Sequence, residues 1–310
     1  MKKVLVIGAA GFVGPYLVDN LISHGYEVLG TKLANQEKNF NSKSVDLNIL
    51  NKNEVNDVLS QFKPDYIVHL AAQSSVKLSW ANPQLTFEIN VIGVINLLET
   101  IHSLNLKTRT LLIGSSEEYG KVQHSKVSEE HTSNPTNFYA LSKITQEKIG
   151  FIYAKAYGLD VLATRSFNHI GAGQSTLFVA SDFAHQIAQI ERSQKEGVIN
   201  VGNLNARRDF TSVKDVVNAY RLLLEKGKSN EIYNVGSGES VAISEILNKL
   251  IAMSNAKIEV NIDKNKFRPI DTPEIKADIV KLQEDTGFKI EHNIDKTLRE
   301  VLDYFRNNEE

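Results

Sequence analysis

The 310-residue chain contains no cysteine. That excludes disulfides, thiolate zinc sites and cysteine nucleophiles together. Neither sign of charge dominates: 35 Lys and Arg stand against 37 Asp and Glu, a net charge of −2 with histidine neutral. Such a balance gives no electrostatic footprint for nucleic acid or an anionic membrane surface. No run approaches the ~18 apolar residues that a membrane span needs. The first 30 residues do not read as a signal peptide, because a glycine turn and then charge break the apolar stretch. Repeats, low-complexity tracts and clean linkers are missing too. The expectation is a soluble, cytoplasmic protein without a metal site, long enough for one large or two modest domains.

What is present begins with KVLVI, residues 3–7, an apolar run without alternation. That pattern suits a parallel strand buried on both faces. Gly8, Gly11 and Gly14 follow at once in GAAGFVG, and a helical pattern starts at Phe12 and Val13. Pro15 falls in the first turn, where its missing N–H costs little. Strand, glycine turn and helix in this order predict a dinucleotide site. Gly8 permits the tight turn, Gly11 lets backbone N–H groups approach a pyrophosphate, and Gly14 allows close helix–strand packing.

The second strand, residues 26–30, does not end in the acid that usually holds the adenosine ribose of NAD. Thr31 and Lys32 follow instead, and a hydroxyl with an ammonium suits a 2′-phosphate. The expected cofactor is therefore NADP(H), with NAD(H) the alternative. Asp46 ends a third strand, where it can accept from the adenine amino group, with Leu47 next to it. The fourth strand runs over 64–72 and ends in Leu70, Ala71 and Ala72, small residues where a cofactor would cross the sheet. A helix over about 82–104 carries Asn90, placed either toward the cofactor or as an ordinary helical position.

Residues 139–143 read YALSK. Four-residue spacing puts Tyr139 and Lys143 on one helix face. Free tyrosine titrates at about 10, and a fixed ammonium nearby favours the phenolate. The expectation is a Tyr139 pulled toward neutral pH, a shift of roughly three units or about 4 kcal/mol. The fifth strand, 109–116, ends in Ser115 and Ser116, followed by Glu117. A hydroxyl at a strand's C-terminal end lies where open α/β sheets bind ligands. After the sixth strand, 159–166, the βα rhythm loosens. The fold class is α/β: a Rossmann-type doubly wound parallel sheet with a smaller, interleaved C-terminal substrate domain. The dinucleotide domain is expected over 1–166 plus about 211–236, and the second over about 167–210 plus 237–310.

The glycine turn, Ser115, Tyr139 and Lys143 together resemble the extended short-chain dehydrogenase/reductases that act on nucleotide sugars. HLAAQSSV, GSSEEYG, YALSK, RSFNHIG, RRDFT and RPIDTPE stand in that family's order over nearly the whole chain. Within the family the likeness is to the GDP-mannose branch, its 4,6-dehydratases and more closely its 6-deoxy-D-mannose reductases. The resemblance implies Tyr139 as acid–base residue and Lys143 as holder of the nicotinamide ribose. Ser115 would bond the sugar O4, and Glu117 stands where the dehydratases have their elimination acid/base. A GDP-sugar would be held by Ser74, Asn168, Val179, Arg208, Arg268 and Asp271. Arg208 and Arg268 suit a diphosphate because a guanidinium makes forked, charge-assisted bonds. Asp182 is our own addition, a carboxylate for the paired N–H groups on one edge of guanine.

The implied reaction is reduction of GDP-4-dehydro-6-deoxy-D-mannose to GDP-D-rhamnose. Dehydration of GDP-mannose, 4-epimerisation and a catalytically silent NADP(H) sensor are the alternatives. The segment over 31–46 is short, whereas the dehydratases of this resemblance carry a longer, arginine-rich insertion there that builds tetramers. Its shortness favours a reductase, dimeric through the helices near 82–104 and 137–157.

Overall fold

Seven short segments, all but the third rich in Val, Ile and Leu, supply the strands of one all-parallel sheet. In chain order they are β1 (Lys3–Ile7), β2 (Glu27–Lys32), β3 (Lys43–Asp46), β4 (Tyr66–His69), β5 (Arg109–Ser115), β6 (Asp160–Ser166) and β7 (Ile232–Val235). Their order across the sheet is β7-β6-β5-β4-β1-β2-β3. The chain turns back between β1 and β4, so the C-terminal ends of those strands open a crevice. The computed structural model describes residues 1–122, 124–193, 196–267 and 272–308.

Two apolar cores cover the faces of the sheet. One joins Val4, Val6 and Leu111 to the helices Val13–Ser23 and Val213–Lys226 through Leu17, Leu21, Val216 and Leu223. The other joins Leu5, Ile7 and Leu112 to Leu97, Leu98 and Ala154 of the helices Gly93–Ser103 and Phe138–Tyr157. A third core lies outside the sheet. There Phe183 and Ile187 of the helix Val179–Ser193 meet Val301 and Phe305 of the helix Ile294–Asn307. Small sheets knit this region together: Asn168–Ile170 runs parallel to Phe210–Ser212, and Gly197–Val201 to Ile258–Ile262. Lys126–Val127 crosses over to pair with Glu274–Ala277.

One expected helix needs correction. The stretch read as a single helix over 82–104 is Pro83–Phe87, a π-helical turn Glu88–Ile92 and Gly93–Ser103. A widened turn re-aims a side chain, and here it is Asn90. Fully buried, Asn90 accepts from the Gln73 N–H at 2.9 Å. Its amide donates to the Gln73 carbonyl at 3.0 Å and the Ser142 hydroxyl at 2.9 Å. It is a staple between the loop after β4 and the YALSK helix. Contrary to the sequence reading, Pro83–Ser103 is also long and apolar enough to cross a membrane by length and composition. Half of it is buried inside the molecule, as in a core helix.

Candidate active site

The glycine turn is built as its spacing demands. Gly8 has φ +85°, and a side chain on it would fall 2.7 Å from the Ala71 nitrogen. A side chain on Gly14 would overlap the Ala9 carbonyl. The turn therefore presents backbone, with the helix Val13–Ser23 starting behind it, and this cradle fits a dinucleotide pyrophosphate. Leu70 and Ala71 both donate their N–H to the Ile7 carbonyl, which places the small residues after β4 beside the turn. Phe12 stacks on His169, with ring centroids 6.0 Å apart.

Lys32 pairs with Asp46 at 2.7 Å, so two residues assigned to the cofactor from sequence meet each other at the ends of β2 and β3. Leu47 is buried, and its N–H bonds the Lys32 carbonyl at 2.8 Å. Thr31 is corrected: it is buried, and its hydroxyl accepts the Gly8 N–H at 3.1 Å. Neighbours in a strand point to opposite faces, so Thr31 turns into the sheet while Lys32 turns out.

Ser115 ends β5 and caps the following turn, Ser116–Tyr119, its hydroxyl accepting the Glu117 N–H at 3.2 Å. Asn137 caps the helix Phe138–Tyr157 by accepting the Ala140 N–H at 2.8 Å. The same amide donates to Glu117 at 3.1 Å, which ties the two caps together. Tyr139 and Lys143 therefore arrive at the end of β5 on the first turns of a fixed helix. The Ser115 hydroxyl stands near enough to the Tyr139 phenol to oppose the rise of its pKa. Lys143 donates to the Ile113 carbonyl at 2.8 Å and to Gln146 Oε1 at 3.2 Å. Ser115, Tyr139 and Lys143 are 8%, 9% and 3% exposed, so water is largely excluded from all three.

The electrostatics differ from the sequence expectation. Tyr139 is not pulled down by Lys143. Burial pushes its phenol well above the ordinary tyrosine range, opposed by the Ser115 hydroxyl and reinforced by Glu118 and Glu117. The lysine is itself lowered to about 8 by burial, with Glu118 raising it. Its ammonium is turned to the Ile113 carbonyl and Gln146, so desolvation of the phenol outweighs any help from it.

Sequence reasoning missed the groups behind this trio. Glu118 is fully buried, its Oε1 accepting the Ser115 N–H at 2.7 Å. Arg165 makes a two-pronged bond to buried Glu147, at 3.0 and 3.1 Å. His69 is buried beside Lys143, and burial lowers it to about 3, so it is neutral. The second acid of GSSEEYG was the available signal for Glu118.

On the substrate side, Ser74 is exposed in the loop that Asn90 pins. Asn168 pairs with Phe210, two residues beyond Arg208. The Arg208 guanidinium donates to the Arg207 and Thr272 carbonyls at 2.8 and 2.7 Å. Val179 opens the helix that carries Asp182, and Asp182 pairs with Lys266 at 3.2 Å. Arg268 and Asp271 lie outside the described residues. Asp209, not singled out from sequence, is buried and accepts from the N–H groups of Ser237, Gly238 and Ala277. A separate 550 Å³ cleft lies at the N-terminal ends of the strands, lined by Lys2, Asp65, Arg109 and Asp160. It holds none of these residues, and open α/β sheets bind ligands at the opposite edge.

A doubly wound sheet with a glycine turn at its switch point, and Ser, Tyr and Lys at the end of β5, defines a nicotinamide-dependent short-chain dehydrogenase/reductase. Known proteins agree. The chain is 30% identical to the GDP-6-deoxy-D-mannose reductase of Pseudomonas aeruginosa, over 97% of this chain and 96% of that one. It is 29% identical to GDP-mannose 4,6 dehydratase 1 of Arabidopsis thaliana, over 97% and 89%. The structure of RMD from Pseudomonas aeruginosa complexed with NADPH superposes with a TM-score of 0.89 at 29% identity, covering 99% of both chains. Residues 5–301 match the family model described as GDP-mannose 4,6 dehydratase, and the chain belongs to that family. It is an enzyme of the nucleotide-sugar short-chain dehydrogenase/reductase type, with NAD(P)H as its cofactor.

Proposed function

We propose that the protein reduces the C4 ketone of GDP-4-dehydro-6-deoxy-D-mannose to GDP-D-rhamnose, with NADPH as the preferred cofactor. The observation that carries this reading is the convergence of buried Ser115 and Tyr139 at the sheet edge, with Lys143 one helical turn on. When bound, the cofactor supplies a hydride. Ser115 donates a hydrogen bond to the sugar O4, and Tyr139 gives that oxygen its proton. The Lys143 ammonium, bound to the Ile113 carbonyl before the cofactor enters, is assigned to the nicotinamide ribose.

Dehydration of GDP-mannose is the second reading. Half-buried Glu117, held by Asn137 next to Ser115, favours it, since elimination needs an extra acid/base. Against it, the short link 33–42 between β2 and β3 leaves no room for the dehydratases' insertion. A 4-epimerase is third.

Asn168, Val179, Asp182, Arg208, Arg268 and Asp271 are the residues we assign to the nucleotide, with Ser74 at the sugar. Lys32 would exchange Asp46 for a 2′-phosphate. We place the enzyme in the cytoplasm as a homodimer. Exposed Leu85, Ile92, Leu141 and Ile152, the last 63% exposed, lie on the two long helices that would pair. An Ile152→Asp variant should sediment as a monomer; an unchanged dimer would put the interface elsewhere.

Cofactor consumption tests the function. A reductase oxidises NADPH stoichiometrically with the 4-keto sugar and leaves GDP-mannose untouched. Turnover of GDP-mannose without net NADPH change would establish the dehydratase instead.

A further inference from the structure

The C-terminal region leaves one sheet edge open. Among the described residues, the strands Gly197–Val201 and Ile258–Ile262 pair only with each other. Gly197 donates its N–H to the Lys257 carbonyl at 3.0 Å, and Asp263 donates to the Val201 carbonyl at 2.8 Å. Backbone bonding groups alternate sides along a strand, so the odd residues from 257 to 263 are used in this pairing. Ile258, Val260 and Ile262 therefore turn their N–H and C=O groups to the free edge. The far edge of the pair is capped. There the Gln186 side chain takes up the Asn200 N–H at 3.0 Å and donates to the Asn200 carbonyl at 3.3 Å.

The open edge is also apolar. Register sets Val260 beside Ile199 and Ile262 beside Val201, and those two partners are fully buried. Residues side by side in a sheet share a face, yet Val260 is 43% and Ile262 57% exposed. An uncovered edge of this kind is a template for another strand, and proteins usually blunt one with Lys, Pro or a bulge.

Residues 257–263 read KIEVNID, which is complementary to itself. Turned end for end about Val260, the segment sets Val260 against Val260, Ile258 against Ile262, Glu259 against Asn261 and Lys257 against Asp263. The first two matches fall on the edge-facing residues, which makes them the hydrogen-bonded pairs of an antiparallel ladder. Their side chains extend the apolar face over Ile199 and Val201 from one copy to the next. On the opposite face a carboxylate meets an amide, and an ammonium meets a carboxylate. Lys257 pairs with Glu196 at 2.6 Å, but both are well exposed, and such a pair exchanges at little cost.

We propose that Ile258–Ile262 is an interface between two copies of this chain, paired antiparallel about a two-fold axis at Val260. It is separate from the helices near 82–104 and 137–157 and from the catalytic site. A strand pair buries less than the ~1,200–2,000 Å² of a standard interface, so the association is weak and concentration-dependent.

Sedimentation velocity of the full chain over about 1 μM to 1 mM tests this. Val260→Pro removes an N–H that faces the open edge, so it blocks the edge and leaves the fold intact. The parent should grow beyond what this variant reaches. If the helices also pair, the variant stops at a dimer; if they do not, it stays a monomer while the parent dimerises. Lys257→Asp and Asp263→Lys each set like charges face to face, and each should weaken association by about tenfold. An equimolar mixture of the two should regain the parent's affinity, because each then meets the other's opposite charge. A parent no larger than Val260→Pro overturns the proposal, and so does a mixture no tighter than its components. The mixture alone decides if Val260→Pro does not fold. Neither readout involves the sugar nucleotide, so failure of the reductase assignment is read separately, from NADPH oxidation with the 4-keto sugar.

Discussion

Removing the Ser115 hydroxyl separates chemistry from stability. In Ser115→Ala the turn Ser116–Tyr119 loses its cap, because the hydroxyl accepts the Glu117 N–H at 3.2 Å. Loss of such a cap costs about 1 kcal/mol. In a chain of this size that lowers Tm by only ~2 °C. The backbone should hold, since Glu118 still anchors the Ser115 N–H at 2.7 Å. The rate effect is larger. A donor aimed at a developing oxyanion is worth about 10²–10³ in kcat, or about 2.7–4 kcal/mol. Tyr139 also loses the neighbouring hydroxyl that opposes the rise of its pKa, which makes the phenol a weaker acid and adds to the barrier. NADPH oxidation with the 4-keto sugar should therefore fall by about two to three decades. Affinity for NADPH should stay as it was, and Ser115→Thr should restore most of the rate. A kcat within about tenfold of the parent, at unchanged Tm, would remove Ser115 from the oxyanion role.

Other variants probe the surroundings of the site. Arg165→Met leaves Glu118 and Glu147 buried without their cation, and should destabilise the fold by about 3–5 kcal/mol in denaturant melts. Adding Glu147→Leu should recover part of that loss, and a single variant as stable as the parent would contradict it. Gly14→Ala drives a methyl into the Ala9 carbonyl. It should abolish detectable NADPH binding by fluorescence while the C-terminal core stays folded. Lys32→Ala should weaken NADPH by about tenfold, the worth of one charge-assisted bond, and leave NADH unaffected. Equal loss for both cofactors would place the 2′-phosphate elsewhere.

The parts legible from sequence were those set by short spacing. Three glycines between an apolar run and a helical pattern located the dinucleotide turn, and Tyr-x-x-x-Lys placed two side chains on one face. Apolar runs located six of the seven strands of the sheet, and the third was placed from Val45 and Asp46. The parts that were not legible depend on distant segments. The widened turn at Asn90 has meaning only through Gln73 and Ser142, which it joins. Thr31 was assigned to a phosphate because its inward orientation follows from strand pairing that spacing does not reveal. Glu118 meets Arg165 only through the β5–β6 register. The charge state of Tyr139 was misjudged for the same reason: a lysine four residues away is visible in sequence, but the burial that outweighs it is not.

The central claim is that Ser115 and Tyr139 protonate a sugar ketone while hydride arrives from the nicotinamide. Its most direct test follows a label from deuterated NADPH into the sugar nucleotide by NMR. The account predicts deuterium at C4 of a GDP-6-deoxyhexose with the D-rhamno configuration, and almost none with Tyr139→Phe. A product without deuterium at C4, or deuterium moving from C4 to C6 when C4-labelled GDP-mannose is supplied, would contradict it.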